Sequence, residues 1–178
     1  DVVYPSGKKW TYQPFWIRTF RFVRLVVETG DQPLTLYPPR FLSTGYPLIN
    51  QVKIAPEQDW VKRIWEMSER TLRLCMHETH EDCPYYEQLQ YILDTRLQMQ
   101  FTYTLGGDTR MGRRTIFDFH ASLLPDGILQ SRYPCTMPQV IPCFALQWIG
   151  MLSDYLQQTG DLDLVRRYRP TMEAVLDW

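Results

Sequence analysis

The sequence predicts a mainly α-helical protein in which helices pair into hairpins, preceded by a short β-rich segment. Apolar residues recur at helical spacing from residue 59 onwards. A helix, a Gly-Asp turn and a second helix occur twice, around Gly107-Asp108 and around Gly160-Asp161, with a long proline-rich loop, residues 123–142, between the two hairpins. Short turns on one side and long loops on the other suit a toroid of α-hairpins with function on the long-loop side, although an ordinary helical bundle would give the same pattern.

The first 54 residues carry the β-rich segment. Residues 15–27 are rich in β-branched and aromatic side chains and predict a strand, a turn cluster follows at residues 29–33, and residues 34–37 predict a second short strand. Because two or three strands do not form a stable sheet alone, we expect them to complete a sheet whose other strands lie outside this chain.

Five helices are predicted after this segment, and local signals mark several of their ends. Pro84 suits the first turn of a helix, and Gly106-Gly107 ends that helix. Asp108 and Asp161 are the residue type that caps a following helix. The predicted helices span residues 59–77, 84–105, 109–122, 143–158 and 162–178.

Composition excludes several classes of function. The chain has 178 residues and a net charge of −1, so it lacks the basic surface of a nucleic-acid-binding or anionic-membrane-binding protein. No apolar run approaches the length of about 20 residues that a membrane span needs. Aromatic residues make up 14% of the chain, which fits a well-packed core and also sites that stack on sugars or bases. We predict no nucleic-acid partner and no membrane segment.

The cysteines and histidines do not form a recognisable metal motif. His77-Glu78-Thr79-His80 is one residue short of the His-Glu-x-x-His motif, which needs its histidines one helical turn apart. We expect a polar loop with its histidines in hydrogen bonds, no metal and no cofactor. Four cysteines are too few for a disulfide scaffold in a chain of this length: Cys75, Cys83, Cys135 and Cys143.

Residues 78–98 concentrate carboxylates, tyrosines and glutamines and contain no lysine. If residue 84 begins a helix, then Tyr91, Asp94 and Gln98 fall within about 40° of Glu87 on the helical wheel. A solvated helix face normally mixes charges of both signs, and that remains the competing explanation. A face of acids, aromatic rings and amides instead indicates the wall of a polar pocket. Carbohydrate chemistry uses such groups to move protons and to hold hydroxyls.

Arg96 lies on the opposite side of this predicted helix, inside the apolar arc. A buried arginine there needs a carboxylate partner, which the sequence does not identify.

The motif in this stretch resembles that of a known family. Asp82-Cys83-Pro84-Tyr85-Tyr86-Glu87, with Asp94 seven residues after the glutamate, is similar to the signature of the bacterial α-L-rhamnosidases of glycoside hydrolase family 78. The resemblance implies that the helices are part of an (α/α)6 six-hairpin toroid and that the first strands are the last ones of a β-sandwich domain. Supporting segments are residues 124–127, 130–134, 138–142 and 148–151.

The resemblance also implies a domain division and a reaction. Residues 1–54 would be the end of the β-sandwich with its linker, and residues 55–178 the N-terminal portion of the barrel, so that the remainder of the same polypeptide is a partner of this chain. The reaction would be inverting hydrolysis of a terminal α-L-rhamnoside in an L-rhamnose-containing glycoside or polysaccharide. Glu87 would be the general acid, Asp82 and Asp94 would hold rhamnose hydroxyls, and the base would be a glutamate beyond Trp178.

The residues next to the acid depart from the family pattern. Many members have arginine just before the acid and Arg-Leu-Gly-Trp after it, where this chain has Tyr86 and residues 88–91, Gln-Leu-Gln-Tyr. We therefore expect contacts to the sugar ring or to the aglycone to differ there. Further candidate substrate-binding residues are Tyr86, Tyr91, Arg132, Tyr133 and Trp148. A surface arginine is the competing explanation for Arg132, and helical spacing favours a core position for Trp148.

Two other functions are compatible with the sequence. One is a non-catalytic carbohydrate-binding or helical scaffold module that keeps the fold without the chemistry. The other is a six-hairpin hydrolase that acts on another sugar.

Overall fold

The computed structural model describes all residues, Asp1–Trp178, in two compact units, Asp1–Leu42 and Ser43–Trp178. Residues 1–58 form no helix or strand, and the second unit contains five α-helices. None of these helices is both long enough and apolar enough for a membrane span. They are α1 Asp59–Leu74, α2 Ile92–Gly106, α3 Arg110–Ala121, α4 Pro142–Thr159 and α5 Leu162–Asp177.

The first unit is held by side-chain contacts rather than by a sheet. Arg18 and Tyr12 both donate hydrogen bonds to the Asp1 carboxylate, at 2.8 and 2.9 Å. The strands predicted at residues 15–27 and 34–37 are not formed. A strand is held by hydrogen bonds to a partner strand, and this unit supplies no partner. That these residues belong to a β-sandwich domain stays a prediction.

Helix α1 ends at Leu74 rather than at the predicted His77. The Cys75 N–H bonds back to Thr71 O and Leu72 O, at 3.1 and 3.0 Å, which closes the last turn. The chain then reverses, because Met76 pairs with His80 in an isolated antiparallel bridge.

The prediction for the second helix was wrong at its start, because α2 begins at Ile92 and not at Pro84. Residues 82–91 instead form a turn and a short bridging segment. Gln88 has a φ of 52°, in the left-handed region that interrupts a right-handed helix. Glu87 therefore does not lie on one helical face with Asp94, and the predicted alignment of the two carboxylates along a single helix is wrong.

The ends of both hairpin turns match the prediction. Gly107 and Gly160 close α2 and α4 in left-handed conformation, with φ of 66° and 73°, where a side chain would be strained. Asp161 caps α5, since its carboxylate accepts a 2.9 Å hydrogen bond from the Leu164 N–H. The bounds of α3, α4 and α5 agree with the prediction to within one residue at each end.

Thr109, and not the predicted Asp108, is the residue at the N-cap of α3, but Asp108 Oδ1 does accept a 3.1 Å hydrogen bond from the N–H of Arg110, the first residue of the helix. The Asp108 carboxylate accepts hydrogen bonds from Arg110, at 2.6 Å to Nη2, and from the Tyr46 hydroxyl at 2.8 Å. The Arg110 hydrogen bond is the main reason that the pKa of Asp108 falls to about 2. Asp108 thus ties residue 46 to the start of α3.

The core lies between the two hairpins, where α2 and α3 pack on α4 and α4 packs on α5. Trp148 of α4 lies at its centre with no exposed surface, and its indole N–H donates to Ile116 O at 3.1 Å. The fully buried apolar side chains around it are Ile92, Met99, Ile116, Phe119, Leu129, Ala145 and Met151.

Candidate active site

A closed loop, residues 82–89, presents the predicted acid. Asp82 and Leu89 pair across its base: the Asp82 N–H donates to Leu89 O at 2.9 Å, and the Leu89 N–H donates to Asp82 Oδ1 at 3.0 Å. Within the loop, the Glu87 N–H approaches Cys83 Sγ at 3.2 Å. These bonds hold Tyr86 and Glu87 at the exposed tip of the loop.

The residues after this loop pair with the proline-rich segment that separates the two hairpins. The Ile92 N–H donates to Ser131 O at 3.0 Å, and the Tyr133 N–H donates to Gln90 O at 3.1 Å. Tyr91 and Arg132 are therefore directly opposed in an antiparallel bridge. This contact joins the acid-bearing loop to the long-loop side of the fold, where the sequence predicts function.

The buried side chain of Gln90 anchors the segment that leads into α2. No feature of the sequence pointed to this residue. Its side chain is 2% exposed and accepts a 2.8 Å hydrogen bond from Thr115 Oγ1. Its amide nitrogen donates to Tyr133 O at 2.9 Å and reaches Asp118 Oδ2 at 3.5 Å. A helix through residues 84–105 offers no reason to single out this amide, because the contacts depend on the extended backbone of Tyr91 just before α2.

Glu87 is exposed and accepts a 2.7 Å hydrogen bond at Oε2 from the Tyr91 hydroxyl. Arg132 Nη1 in turn donates to the Tyr91 hydroxyl at 3.2 Å. Tyr91 thus lies between the carboxyl group and the guanidinium group. Glu87 forms no salt bridge with Arg132, so its carboxyl is not neutralised by direct pairing.

Asp94 lies in the first turn of α2 and is partly buried. Burial raises the pKa of Asp94, a hydrogen bond from its own backbone N–H acts in the opposite direction, and the negative charges of Asp82 and Glu87 raise it further. The three carboxyl groups that the sequence singled out are therefore within electrostatic range of one another. No arginine or lysine acts on Asp94 to offset them.

The other predicted site residues differ in how far their side chains are exposed to solvent. Tyr86 is 88% exposed beside Glu87 and packs edge-on against Tyr85, with ring centroids 5.0 Å apart. Tyr133 is half-buried next to the bridge, and its main chain is bonded to Gln90. Trp148 is different, because its ring is enclosed in the core and offers no face to a sugar in this structure.

The loop that precedes the motif is tied down by its own polar contacts. His77 Nδ1 lies 3.1 Å from Glu81 Oε1, and the Gln98 side chain donates to Glu81 O at 2.7 Å. His80 is fully buried, with Nε2 3.4 Å from Thr102 Oγ1, and burial lowers the pKa of His80 to about 4. These contacts fix the chain on the N-terminal side of Asp82.

A second concavity shares no residue with the carboxylates. It is an open groove of about 650 Å³ between residues 43–46 and α1. Its charged lining on α1 is two acids followed by two arginines, and Glu69 there pairs with Arg73 at 2.8 Å. We place the candidate site at the carboxylates, because the groove contains no residue of the motif at residues 82–87.

Comparisons with known proteins bear on the same region. Residues 52–178 match the family model described as the bacterial alpha-L-rhamnosidase 6 hairpin glycosidase domain. No curated protein matches the chain.

Two solved structures are similar to the chain. One is the glycoside hydrolase family 78 rhamnosidase of Bacillus sp. GL1, with 28% identity and a TM-score of 0.71 over 75% of this chain and 14% of that one. The other is a rhamnosidase from Klebsiella oxytoca with rhamnose bound, with 21% identity and a TM-score of 0.64 over 76% of this chain and 26% of that one. The chain therefore spans a small part of each. The predicted helical fold, part of a six-hairpin toroid, is confirmed by these likenesses.

Proposed function

This chain belongs to the bacterial α-L-rhamnosidase six-hairpin glycosidase family, and we propose that it carries the general acid of an inverting α-L-rhamnosidase. The observation that supports this most directly is the exposed Glu87 carboxyl at the tip of a closed loop, with the Asp82 and Asp94 carboxyls nearby. The substrate class is a terminal α-L-rhamnoside, as the family implies.

In this proposal Glu87 donates its proton to the glycosidic oxygen. The bond between that oxygen and the anomeric carbon breaks, and its electron pair stays on the departing oxygen. A water molecule attacks the anomeric carbon from the opposite face and gives up a proton to a base. Glu87 is left as a carboxylate and must regain a proton from solvent before the next turnover, which its exposure permits.

Asp82 and Asp94 suit the binding of sugar hydroxyls. One oxygen of Asp82 closes the loop by accepting from the Leu89 N–H, which leaves the other oxygen for a ligand. The environment of Asp94 disfavours its charge, so two or three hydroxyl donors would relieve an existing electrostatic cost. A ligand that supplies hydroxyls to both carboxylates is therefore favoured over an apolar one.

We further propose that the base and the remaining barrel helices come from the rest of the same polypeptide. The chain covers 14% and 26% of the two rhamnosidase chains that it resembles. An inverting pair of carboxyls lies about 6.5–9.5 Å apart with a water between base and sugar. Residues 1–54 would then form the end of a preceding β-sandwich domain.

The test is Glu87→Gln in the full polypeptide. Turnover of a rhamnoside with a poor leaving group is expected to fall by about 10²–10⁴-fold, because such a leaving oxygen depends on the donated proton. An aryl rhamnoside with an activated leaving group is expected to lose less. Binding of rhamnose, followed by calorimetry, is expected to change little.

Glu78→Gln is the matched control, since Glu78 is an exposed glutamate in the same stretch. Full activity of Glu87→Gln with Glu78→Gln unchanged would refute the acid assignment. A wild-type polypeptide that binds rhamnose without hydrolysing any rhamnoside would instead favour the carbohydrate-binding module. Hydrolysis of a different aryl glycoside in a screen would reassign the sugar.

A further inference from the structure

Three side chains beside the loop form a directed chain of hydrogen bonds. Arg132 Nη1 donates to the Tyr91 hydroxyl at 3.2 Å, and the Tyr91 hydroxyl donates to Glu87 Oε2 at 2.7 Å. From the sequence alone, Tyr91 and Arg132 are candidates for substrate binding. In the structure both are directed at the acid.

The backbone explains why these two side chains meet. The hydrogen bonds of the bridge are made by the residues on either side of Tyr91 and Arg132, so these two form a non-hydrogen-bonded pair, in which opposed side chains are closest. The Arg132 guanidinium lies 5.9 Å from the centre of the Tyr91 ring, and Phe144 of α4 meets the ring edge-on at 6.4 Å. The ring is therefore held on two sides.

The direction of the hydrogen bonds follows from what each group can do. A guanidinium has five N–H donors and no acceptor, so Tyr91 must be the acceptor in its contact with Arg132. An oxygen that already accepts from a cation is a weak acceptor for a second donor and a stronger donor through its own O–H. The Tyr91 proton is thus directed at Glu87, and Glu87 Oε2 is an acceptor.

We propose that Tyr91, held by Arg132, is a positioning residue that places the transferable proton of Glu87 on Oε1. This inference rests on the proposed role of Glu87 as the acid. With Oε2 occupied by the Tyr91 O–H, a proton on the carboxyl group is confined to the oxygen that faces away from the ring. When that proton leaves, the carboxylate keeps a charge-assisted hydrogen bond at Oε2. Tyr91 therefore stabilises the charge that develops on Glu87 during transfer.

The other charged groups around Glu87 act more uniformly. Asp82 and Asp94 are like charges within electrostatic range, and the Arg132 cation reaches Glu87 through Tyr91. None of them contacts a particular oxygen of Glu87, whereas Tyr91 does. Removing the Tyr91 hydroxyl should consequently change proton transfer without removing a group from the sugar.

The test is Tyr91→Phe in the full polypeptide, with kcat and KM measured across pH. We expect kcat to fall by about 10- to 100-fold, the loss typical of one hydrogen bond to a charged group, while KM changes by no more than about twofold. The alkaline limb of the kcat/KM profile is expected to move to higher pH, because the carboxylate form of the acid loses its donor. Tyr85→Phe, the same change at an exposed tyrosine of the same loop, is the control and should alter neither.

A double-mutant cycle with Arg132→Met checks that the three groups act together. Arg132→Met alone is expected to lower kcat by less than Tyr91→Phe does, and to lower it no further in the Tyr91→Phe background. Additive losses, or a rise in KM with an unmoved alkaline limb, would overturn the proposal in favour of sugar binding.

A second measurement does not depend on turnover. Infrared difference spectra can isolate the protonated Glu87 carbonyl stretch by subtraction of the Glu87→Gln spectrum. Loss of the hydrogen bond at Oε2 in Tyr91→Phe is expected to raise the frequency of that stretch. An unchanged frequency would refute the placement of the proton even if Glu87 is the acid. A raised frequency in a polypeptide without rhamnosidase activity would refute the proposed function and leave the hydrogen-bond chain intact.

Discussion

Helix α2 carries one aspartate, Asp94, and is bonded to another, Asp154 of α4. Their surroundings shift the pKa values of the two carboxyls in opposite directions. Asp94 is on α2 itself and faces the candidate site, where burial and the charges of Asp82 and Glu87 raise its pKa. Asp154 reaches α2 from α4. Burial acts to raise its pKa as well, but hydrogen bonds from Arg96 and Gln100 outweigh burial, so the pKa of Asp154 lies below its ordinary value.

The difference lies in what each carboxylate receives. Asp154 is 15% exposed and is bound by Arg96 Nε at 2.7 Å, by Arg96 Nη2 at 3.3 Å and by Gln100 Nε2 at 2.8 Å. Arg96 also donates to Gln147 Oε1 at 2.6 Å, so both members of the ion pair are satisfied. Asp94 has like charges for neighbours. A paired carboxylate holds two helices together, whereas an unpaired one in a partly buried position is a cost that a ligand can relieve.

The largest stability effect is expected from breaking the satisfied pair. Arg96→Met should lower the free energy of unfolding by about 2–3 kcal/mol, somewhat less than for a fully buried pair, because it leaves Asp154 charged and without its cation. Urea denaturation of the full polypeptide, followed by its helical circular dichroism, measures this. Arg166→Met is the matched control: its pair with Asp163 is exposed, and less than about 0.5 kcal/mol should be lost.

The double variant Arg96→Met with Asp154→Leu distinguishes two contributions: the loss of the ion-pair interaction, and the cost of leaving the Asp154 carboxylate partly buried without its cation. Removing both ions should recover most of the loss, since a pair of apolar side chains replaces the pair of ions. No recovery would mean that Arg96 acts through packing alone.

A smaller effect is expected at Gly150, which lies against the same guanidinium. A Cβ at this position would overlap Arg96 Cζ and Nη1 and would lie 2.8 Å from Nε. Because Arg96 is held by Asp154 and Gln147, it cannot move aside without weakening those bonds. Gly150→Ala should therefore destabilise by about 1–2 kcal/mol, even though alanine is the better helix former by about 1 kcal/mol.

The sign should reverse once the arginine is gone. In the Arg96→Met background the Cβ no longer meets a pinned group, so Gly150→Ala should become neutral or stabilising by up to about 1 kcal/mol. Destabilisation of equal size in both backgrounds would show that the glycine is needed for another contact. The readout is again urea denaturation.

The same comparison shows how far the sequence could predict the structure. Glycines that need a positive φ and an aspartate that caps a helix act locally, so the turns at Gly107 and Gly160 and the cap at Asp161 were predicted correctly. The partner of Arg96 could not be identified. Asp154 lies on another helix, and only the packing of α4 on α2 brings the two side chains together.

The sequence motif singled out the carboxylates of the candidate site, whereas helical periodicity placed Glu87 on a helix that the structure does not form there. Asp82, Glu87 and Asp94 lie within electrostatic range of one another, yet Glu87 and Tyr91 meet across a loop rather than along a helix. The start at Pro84 was wrong because proline suits a turn as well as a first helical turn, and because the bridge between Tyr91 and Arg132 is a long-range contact. For Trp148 the sequence left both sugar stacking and a core position open, and in the structure its ring lies in the core, since spacing alone does not distinguish a pocket from an interior.

The smallest expected effect, Asp94→Asn, tests the unpaired side of the comparison directly. Because the folded-state pKa of Asp94 is raised from its ordinary 3.8, the folded state holds a proton that the unfolded state has already lost. Stability is therefore lost as pH rises through that interval, and at neutral pH the folded protein carries the full cost of the charge. Asparagine removes this cost and should raise the melting temperature at pH 7 by about 1–2 °C, a small value because Asp94 is only partly buried. The difference should vanish at a pH low enough to protonate Asp94 in both states.

Asp154→Asn is the control with the opposite expected sign. Because the pKa of Asp154 is lowered in the folded state, its charge stabilises the fold, and the melting temperature of the variant should fall at pH 7. A lower melting temperature for both variants would show that the charge of Asp94 also stabilises the fold through a structural partner. The two carboxylates would then not differ in the way that their neighbours predict.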